Sequence, residues 1–262
     1  HRLAHPGVGG PAVHLTSPDQ PSTERVVDVA LDVVDPTSVE PAWGRYVAGV
    51  VHELRRRGGA APTAFTGTVR TTLPIGSGLS SSAALELSVA LALGFEGTPR
   101  ELAALGQQAE QVASGVPCGA MDQLASACGV PGHALLIDFT SMEMRPVPVP
   151  PPTEAEVVVV HSGEERRLAG SAYAERRAAC ERSAAEIGPL RAATLDDVAR
   201  LAVSTPARDG LVERLLAMPG VFGARLTGAG FGGCVVALAR PGAVPVGPRT
   251  WSVEAGAGAH CR

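Results

Sequence analysis

A chain of 262 residues, 45% hydrophobic and with a formal net charge of −4, can bury one large core or two smaller ones sharing a cleft. Its 22 basic residues are all arginines and form no block, so strong electrostatic capture of nucleic acid is not expected and no lysine-dependent chemistry is open to it. Five scattered cysteines without a Cys-x-x-Cys pair, a start "HRLAHPGVGG" without an apolar signal core, and an apolar run from Ala83 to Leu93 that is short and interrupted by Glu86 argue for a reducing cytoplasm and against a disulfide scaffold or membrane insertion. In chain order, "AVHLTS", "VVDVALDVV" and "AFTGTVRTTLP" predict strands. Between the second and third, "AWGRYVAGVVHELRRRG" has helical spacing with Trp43, Tyr46, Val47, Val50 and Leu54 on one face and Gly58 as its stop. Two further helices, Ala83 to Leu93 and Pro99 to about Ser114, follow a glycine and serine loop, and "HALLIDF" reads as another strand. The proline-rich "MRPVPVPPPTEAE" reads as an extended crossing into a second domain, dividing the chain into residues 1–148 and 149–262. The second domain opens on the apolar "EVVVVHS", continues through an arginine-rich helix at "SAYAERRAACERSAAEIG" and a short one at "STPARDGLVERLLAMPG", and ends in "VFGARLTGAGFGGCVVALAR", a glycine cluster between two strands. Strands mixed with helices in both halves predict a two-domain α+β chain with its site in the cleft.

Three constellations carry chemistry. In "LPIGSGLSSSAALELSVALALG", Gly76 and Gly78 permit backbone angles closed to other residues, and Ser80, Ser81 and Ser82 sit where a helix begins. Unpaired N–H groups and the positive end of the helix dipole meet there, which is the chemistry of a phosphate site, and a serine hydroxyl can add an oxygen ligand for Mg²⁺. An N-capped core helix after a glycine turn explains the same letters. In "AEQVASGVPCGAMDQLASACG", Glu110 and Asp122 flank a turn containing Gly115, Pro117 and Gly119, so the chain can bring two carboxylates to one cleft, one for a metal and one as base or orienting group. The plainer reading has Asp122 capping "MDQLASA" and Glu110 in solvent. In "LTGAGFGGC", Gly228, Gly230 and Gly233 satisfy the spacing of a dinucleotide fingerprint, but the segment runs into an apolar strand rather than a helix, which removes a nicotinamide oxidoreductase from consideration. A glycine loop closing over a site and a tight hairpin both remain open.

Together the three segments resemble the motif regions of the GHMP kinase superfamily, nearest to its galactokinase branch. The family's "P-x-G-x-GLSSSA" appears as "PIGSGLSSSA", its "GVPCG-x-MDQ" as "GVPCGAMDQ" and its "TGGGFGGC" as "TGAGFGGC". The resemblance implies an N-terminal mixed-sheet domain with a phosphate-loop helix, a C-terminal ferredoxin-like α/β sandwich, and ATP-dependent phosphorylation of the anomeric hydroxyl of galactose or a related sugar. It assigns Asp122 as the catalytic residue, Ser82 and Glu110 as Mg²⁺ ligands, and Pro74, Gly76, Ser77, Gly78, Leu79, Ser80, Ser81 and Ser82 to the ATP phosphates. Gly119, Asp122, Gly228 and Gly230 fall on the sugar side. Expected partners are ATP and a small sugar, without nucleic acid or membrane, in a cytoplasmic monomer or weak homodimer; the alternatives are a sugar- and ATP-binding regulator without turnover and a GHMP kinase for an unusual biosynthetic sugar.

Three departures accompany the match. The family's "GR-x-NLIGEHTDY" is absent, "DDVARLAVSTP" joins segments that the family pattern separates, and a helix is missing near "RPGAVPVGPRTW". We expect a longer parent chain.

Overall fold

The computed structural model describes residues 11–58, 62–73, 78–163, 170–189, 194, 206–227 and 233–260. Strands β1 (Ala12–Thr16), β2 (Val26–Ala30) and β3 (Phe65–Thr68) form a sheet of order β2-β1-β3. The β1/β2 pair is antiparallel, whereas β3 returns parallel to β1 after a crossover containing helix α1 (Gly44–Arg57). Alternation turns Val13, Leu15, Val27 and Val29 inward, each 3% exposed or less, so this sheet buries one face. β2 stops at Ala30 instead of running on to Val34 because its partner ends: past Ala12 lies Pro11, which accepts from Leu31 N–H at 3.1 Å but has no N–H of its own to return.

Helices α1, α2 (Ser81–Ala92), α3 (Pro99–Ser114) and α4 (Met121–Cys128) pack with this sheet around one core that includes Val47, Val50, Leu87, Leu105 and Leu124. Fully burying each such side chain contributes about 1.5–3 kcal/mol. α3 starts at a capping box: Thr98 Oγ1 accepts from Glu101 N–H at 3.3 Å, and the Glu101 carboxylate accepts from Thr98 N–H at 2.8 Å. It ends at Gly115, whose φ of 69° a side chain would resist. α1 and α3 approach closely because position 49 is glycine; a Cβ there would overlap the Ala109 carbonyl. Of the face read from the sequence, Val47 and Val50 are fully buried while Trp43 and Tyr46 are half-buried, and Ala48, Gly49 and Val51 are buried in addition.

The proline-rich segment is not simply a crossing. Its first part is β5 (Glu143–Pro148), paired antiparallel to β4 (His133–Asp138). The hairpin tolerates Pro146 and Pro148 because β5 has only one partner in this two-stranded sheet.

Beyond it, β6 (Glu156–His161), α5 (Gly170–Ile187), α6 (Pro206–Leu216), β7 (Val221–Leu226), β8 (Cys234–Ala239) and β9 (Thr250–Val253) follow. Their sheet has the order β7-β8-β6-β9 and is antiparallel throughout, as in a ferredoxin-like unit. Residues 240–249 join β8 to β9 without a helix, in keeping with the departure noted in the sequence. A second core forms from Val158, Leu215, Val235, Ala237, Ala239 and Val244. After β9 the chain returns to α4: Ala259 N–H donates to Ser126 O at 2.7 Å and Gly258 N–H to Gly129 O at 2.8 Å. Among the described residues no helix is long and apolar enough to cross a membrane.

Candidate active site

Ser80 occupies the N-cap of α2, yet its hydroxyl caps nothing. Its backbone is left-handed, with φ 58° and ψ 35°, a conformation that costs a non-glycine residue roughly 1–3 kcal/mol and is characteristic of functional turns. The first intrahelical bond runs from Ala84 N–H to Ser80 O at 3.0 Å, so the amides of Ser81, Ser82 and Ala83 lie ahead of it without an intrahelical acceptor. A simple serine-capped helix does not describe this terminus. Gly78, with φ 72°, precedes it and Leu79 is half-buried, whereas Pro74, Gly76 and Ser77 lie outside the described residues.

Gly78 and Ser80 to Ser82 stand at a cavity of about 480 Å³ between the first sheet and α2. Trp43, Tyr46 and Phe65 line it together with Leu85 and Val89. The chain has 2 Trp, 2 Tyr and 5 Phe, so three of its few aromatic rings converge on one space. Flat apolar walls beside amides that lack an intrahelical acceptor suit a base and its phosphates. The sequence reading missed this wall because helical spacing groups Trp43 and Tyr46 on one face without showing that Phe65 of β3 meets them.

Ser82 joins the cavity to a cluster of carboxylates. Its hydroxyl donates to Glu110 Oε1 at 2.9 Å. The other Glu110 oxygen, Oε2, accepts from Gln123 Nε2 at 2.6 Å, and the same nitrogen donates to Glu86 Oε2 at 3.0 Å. Helix geometry sets this up: Ser82 and Glu86 are one turn apart on α2, as are Gly106 and Glu110 on α3. Glu86 and Gln123 are both fully buried. Burial, then the carboxylate of Glu110, pushes the Glu86 carboxyl up to about 9, so it is uncharged at neutral pH. Sequence reading treated Glu86 only as a break in an apolar run; a lone acid amid such a run was itself the signal.

Asp122 lies in the first turn of α4, half-buried, and it does not cap that helix: the N-cap is Ala120, without a side-chain cap. Among the described residues it makes no ion pair. The preceding turn is clamped from α3, where Gln107 and Gln111 both donate to Cys118 O, at 3.1 and 3.0 Å, and Arg177 of α5 donates to Pro117 O at 2.8 Å. Gly119 sits in this turn facing open space. The fold therefore brings Ser82, Glu110 and the residue next to Asp122 into one bonded chain. The Cys118 thiol is pushed up to about 12, mainly by burial and then by Glu110 and Glu86, which disfavours the thiolate that a nucleophile needs.

Among the described residues no three His, Cys, Asp or Glu side chains gather around a metal position. Ser82 Oγ and Glu110 Oε1 fit a different kind of site. A serine hydroxyl and a carboxylate oxygen 2.9 Å apart are oxygen donors of the type Mg²⁺ takes. Two protein oxygens, with water and phosphate for the rest, match how Mg²⁺ is commonly held.

Gly228 and Gly230 lie outside the described residues. Their flanks, β7 and β8, pair antiparallel, and Thr227 N–H donates to Cys234 O at 3.1 Å. The segment therefore leads into a strand, and the dinucleotide reading has no helix to stand on.

Comparison with known proteins agrees with this architecture. Residues 45–130 match the GHMP kinases N terminal domain and residues 176–245 the GHMP kinases C terminal model. The galactokinase of Homo sapiens is 35% identical over an alignment covering 78% of this chain and 66% of that protein. That of Chloroflexus aurantiacus is 36% identical, covering 75% and 66%, and that of Roseiflexus sp. 35% identical, covering 84% and 74%. The chain spans just under two thirds of the length of the first two. Among solved structures, Lactococcus lactis galactokinase complexed with galactose superposes with a TM-score of 0.79 at 24% identity, covering 95% of this chain and 84% of that one. A mevalonate kinase does so with a TM-score of 0.61 at 20% identity, covering 88% and 79%. Motif, fold and relatives coincide on one lineage, and the chain belongs to the galactokinase family of GHMP kinases.

Proposed function

We propose that this chain is an ATP-dependent sugar 1-kinase, transferring the γ-phosphoryl group of ATP to the anomeric hydroxyl of galactose or a closely related sugar. The observation that carries the reading is the contact of Glu110 with Ser82, which itself lines an aromatic-walled cavity at a helix N-terminus. Galactose is favoured because the relatives named above are galactokinases and the Lactococcus lactis structure is a galactose complex.

In this reading the cavity between Trp43, Tyr46 and Phe65 takes the nucleoside. The amides of Ser81, Ser82 and Ala83, with Pro74, Gly76, Ser77, Gly78, Leu79 and Ser80, take the phosphates. Ser82 and Glu110 hold Mg²⁺, which supplies charge neutralisation on the phosphate oxygens when bound. Asp122 faces the sugar and accepts the proton of its anomeric hydroxyl, or orients that hydroxyl for attack. Gly119, in a turn held by Gln107 and Gln111, lets the sugar approach the main chain, and Gly228 and Gly230 flank the substrates. Catalysis then rests on positioning and electrostatics, which needs no lysine. Residues 1–148 and 149–262 form the two domains around this cleft, in a cytoplasmic protein that is monomeric or weakly dimeric.

ADP release measured across galactose, other hexoses and longer sugars tests the proposal. Turnover that is fastest with galactose and dependent on Mg²⁺ is expected. Binding of sugar and ATP without transfer overturns it in favour of a regulatory binder.

A further inference from the structure

We propose that Glu86 is a positioning residue for the metal pair, acting through Gln123 to hold the Glu110 carboxylate against Ser82. The inference rests on the reading of Ser82 and Glu110 as the Mg²⁺ ligands. One nitrogen spans the junction: Gln123 Nε2 lies 3.0 Å from Glu86 Oε2 and 2.6 Å from Glu110 Oε2, and Glu110 Oε1 accepts from Ser82 Oγ at 2.9 Å. Three helices each contribute to the line, α2 twice, so a shift of any one reaches Glu110.

A role limited to packing does not explain the composition of this junction. Glu86 and Gln123 are 0% exposed, and a leucine or methionine pair of similar volume would fill the space without removing polar groups from water. Glu86 Oε1 and Gln123 Oε1 have no hydrogen-bond partner among the described residues, and each such atom costs about 1–3 kcal/mol. The surrounding chain also gives way to them. At Gly106 on α3, a Cβ would lie 2.9 Å from Leu87 Cδ2, 3.1 Å from Gln123 Cγ and 3.5 Å from Glu86 Oε2. What the polar pair provides that an apolar pair does not is direction. With both Nε2 hydrogens engaged, the amide plane of Gln123 is fixed, and with it the carboxylate whose second oxygen faces Ser82. A neutral carboxyl offers Gln123 the same carbonyl acceptor that a glutamine would.

The test compares wild type, Glu86→Leu, Glu86→Gln, Gln123→Met and the Glu86→Leu/Gln123→Met double variant of the full chain. Mn²⁺ affinity is measured in the presence of a non-hydrolysable ATP analogue, and the Gln123 side-chain amide is followed by NMR without metal. Outer-sphere partners of metal ligands are worth roughly 10–100-fold in affinity. Glu86→Leu is therefore expected to weaken Mn²⁺ binding roughly tenfold while nucleotide affinity without metal is unchanged. Glu86→Gln restores it, and Glu86→Leu adds nothing once Gln123 is methionine. A folded Glu86→Leu protein with wild-type Mn²⁺ affinity, or full additivity in the double variant, overturns the inference. If Glu86→Leu does not fold, an unchanged Mn²⁺ affinity in Gln123→Met overturns it instead. A wild type that binds no Mn²⁺-nucleotide defeats the metal-site reading separately, and the amide signal then decides: slow solvent exchange in wild type and Glu86→Gln but not in Glu86→Leu supports the relay, and equal exchange in all three ends it.

Discussion

The junction of α2, α3 and α4 and the core beneath the four-stranded sheet bury side chains equally well but to different ends. Among the described residues the buried cluster beneath this sheet is aliphatic: Val158, Leu215, Val235, Ala237, Ala239 and Val244. The helix junction places a carboxylic acid and an amide at zero exposure and leaves two of their oxygens without a partner among the described residues. The first region contributes stability through apolar burial. The second gives up stability to hold a carboxylate in one orientation beside a helix N-terminus, and in a marginally stable domain such losses persist where function demands them.

Substitutions in the two regions should therefore separate stability from turnover. Leu215→Ala removes the largest side chain of the aliphatic core and should cost about 2–5 kcal/mol in denaturant unfolding, with kcat per folded molecule unchanged. Asp122→Asn should do the reverse: turnover falls about a hundredfold or more, near 2.7 kcal/mol of barrier, while ATP-analogue binding and melting temperature hold. Stability against pH sharpens the contrast. Glu86 has its folded pKa raised from an ordinary 4.5 to about 9, principally by burial. Its contribution is whole below pH 4.5, declines as pH rises through that window, and is lost above about 9. Wild-type stability should accordingly fall with pH by up to about 1.4 kcal/mol per unit from this group, and the slope should vanish in Glu86→Gln. Ser82→Ala should raise the Mg²⁺ concentration for half-maximal turnover roughly tenfold, with little effect on unfolding. Thr98→Ala, away from both regions, should cost about 1 kcal/mol through the lost cap, and nothing in the Mg²⁺ dependence.

The same division governs what the sequence discloses. α3 could be read nearly to the residue because its ends are written locally, Thr98 and Pro99 at one and Gly115 at the other. The motif serines and Glu110 were legible for a related reason: glycine and serine runs before a helix, and acids around a tight turn, carry their chemistry in adjacent letters. β5 and β9 were not legible, since their extension comes from partners distant in the chain, β4 and β6. β2 was overextended because alternation continues past the point where β1 ends. Glu86 and Gln123 acquire meaning only when three helices meet, and Trp43, Tyr46 and Phe65 become a wall only when α1 and β3 close on α2.

A crystal structure with a non-hydrolysable ATP analogue, Mg²⁺ and galactose is the most direct measurement. The expected result has the base among Trp43, Tyr46 and Phe65, the triphosphate on the amides of Ser81 to Ala83, the metal between Ser82 and Glu110, and the sugar's anomeric hydroxyl at Asp122. A triphosphate seated away from the start of α2, or a metal that touches neither Ser82 nor Glu110, would contradict it.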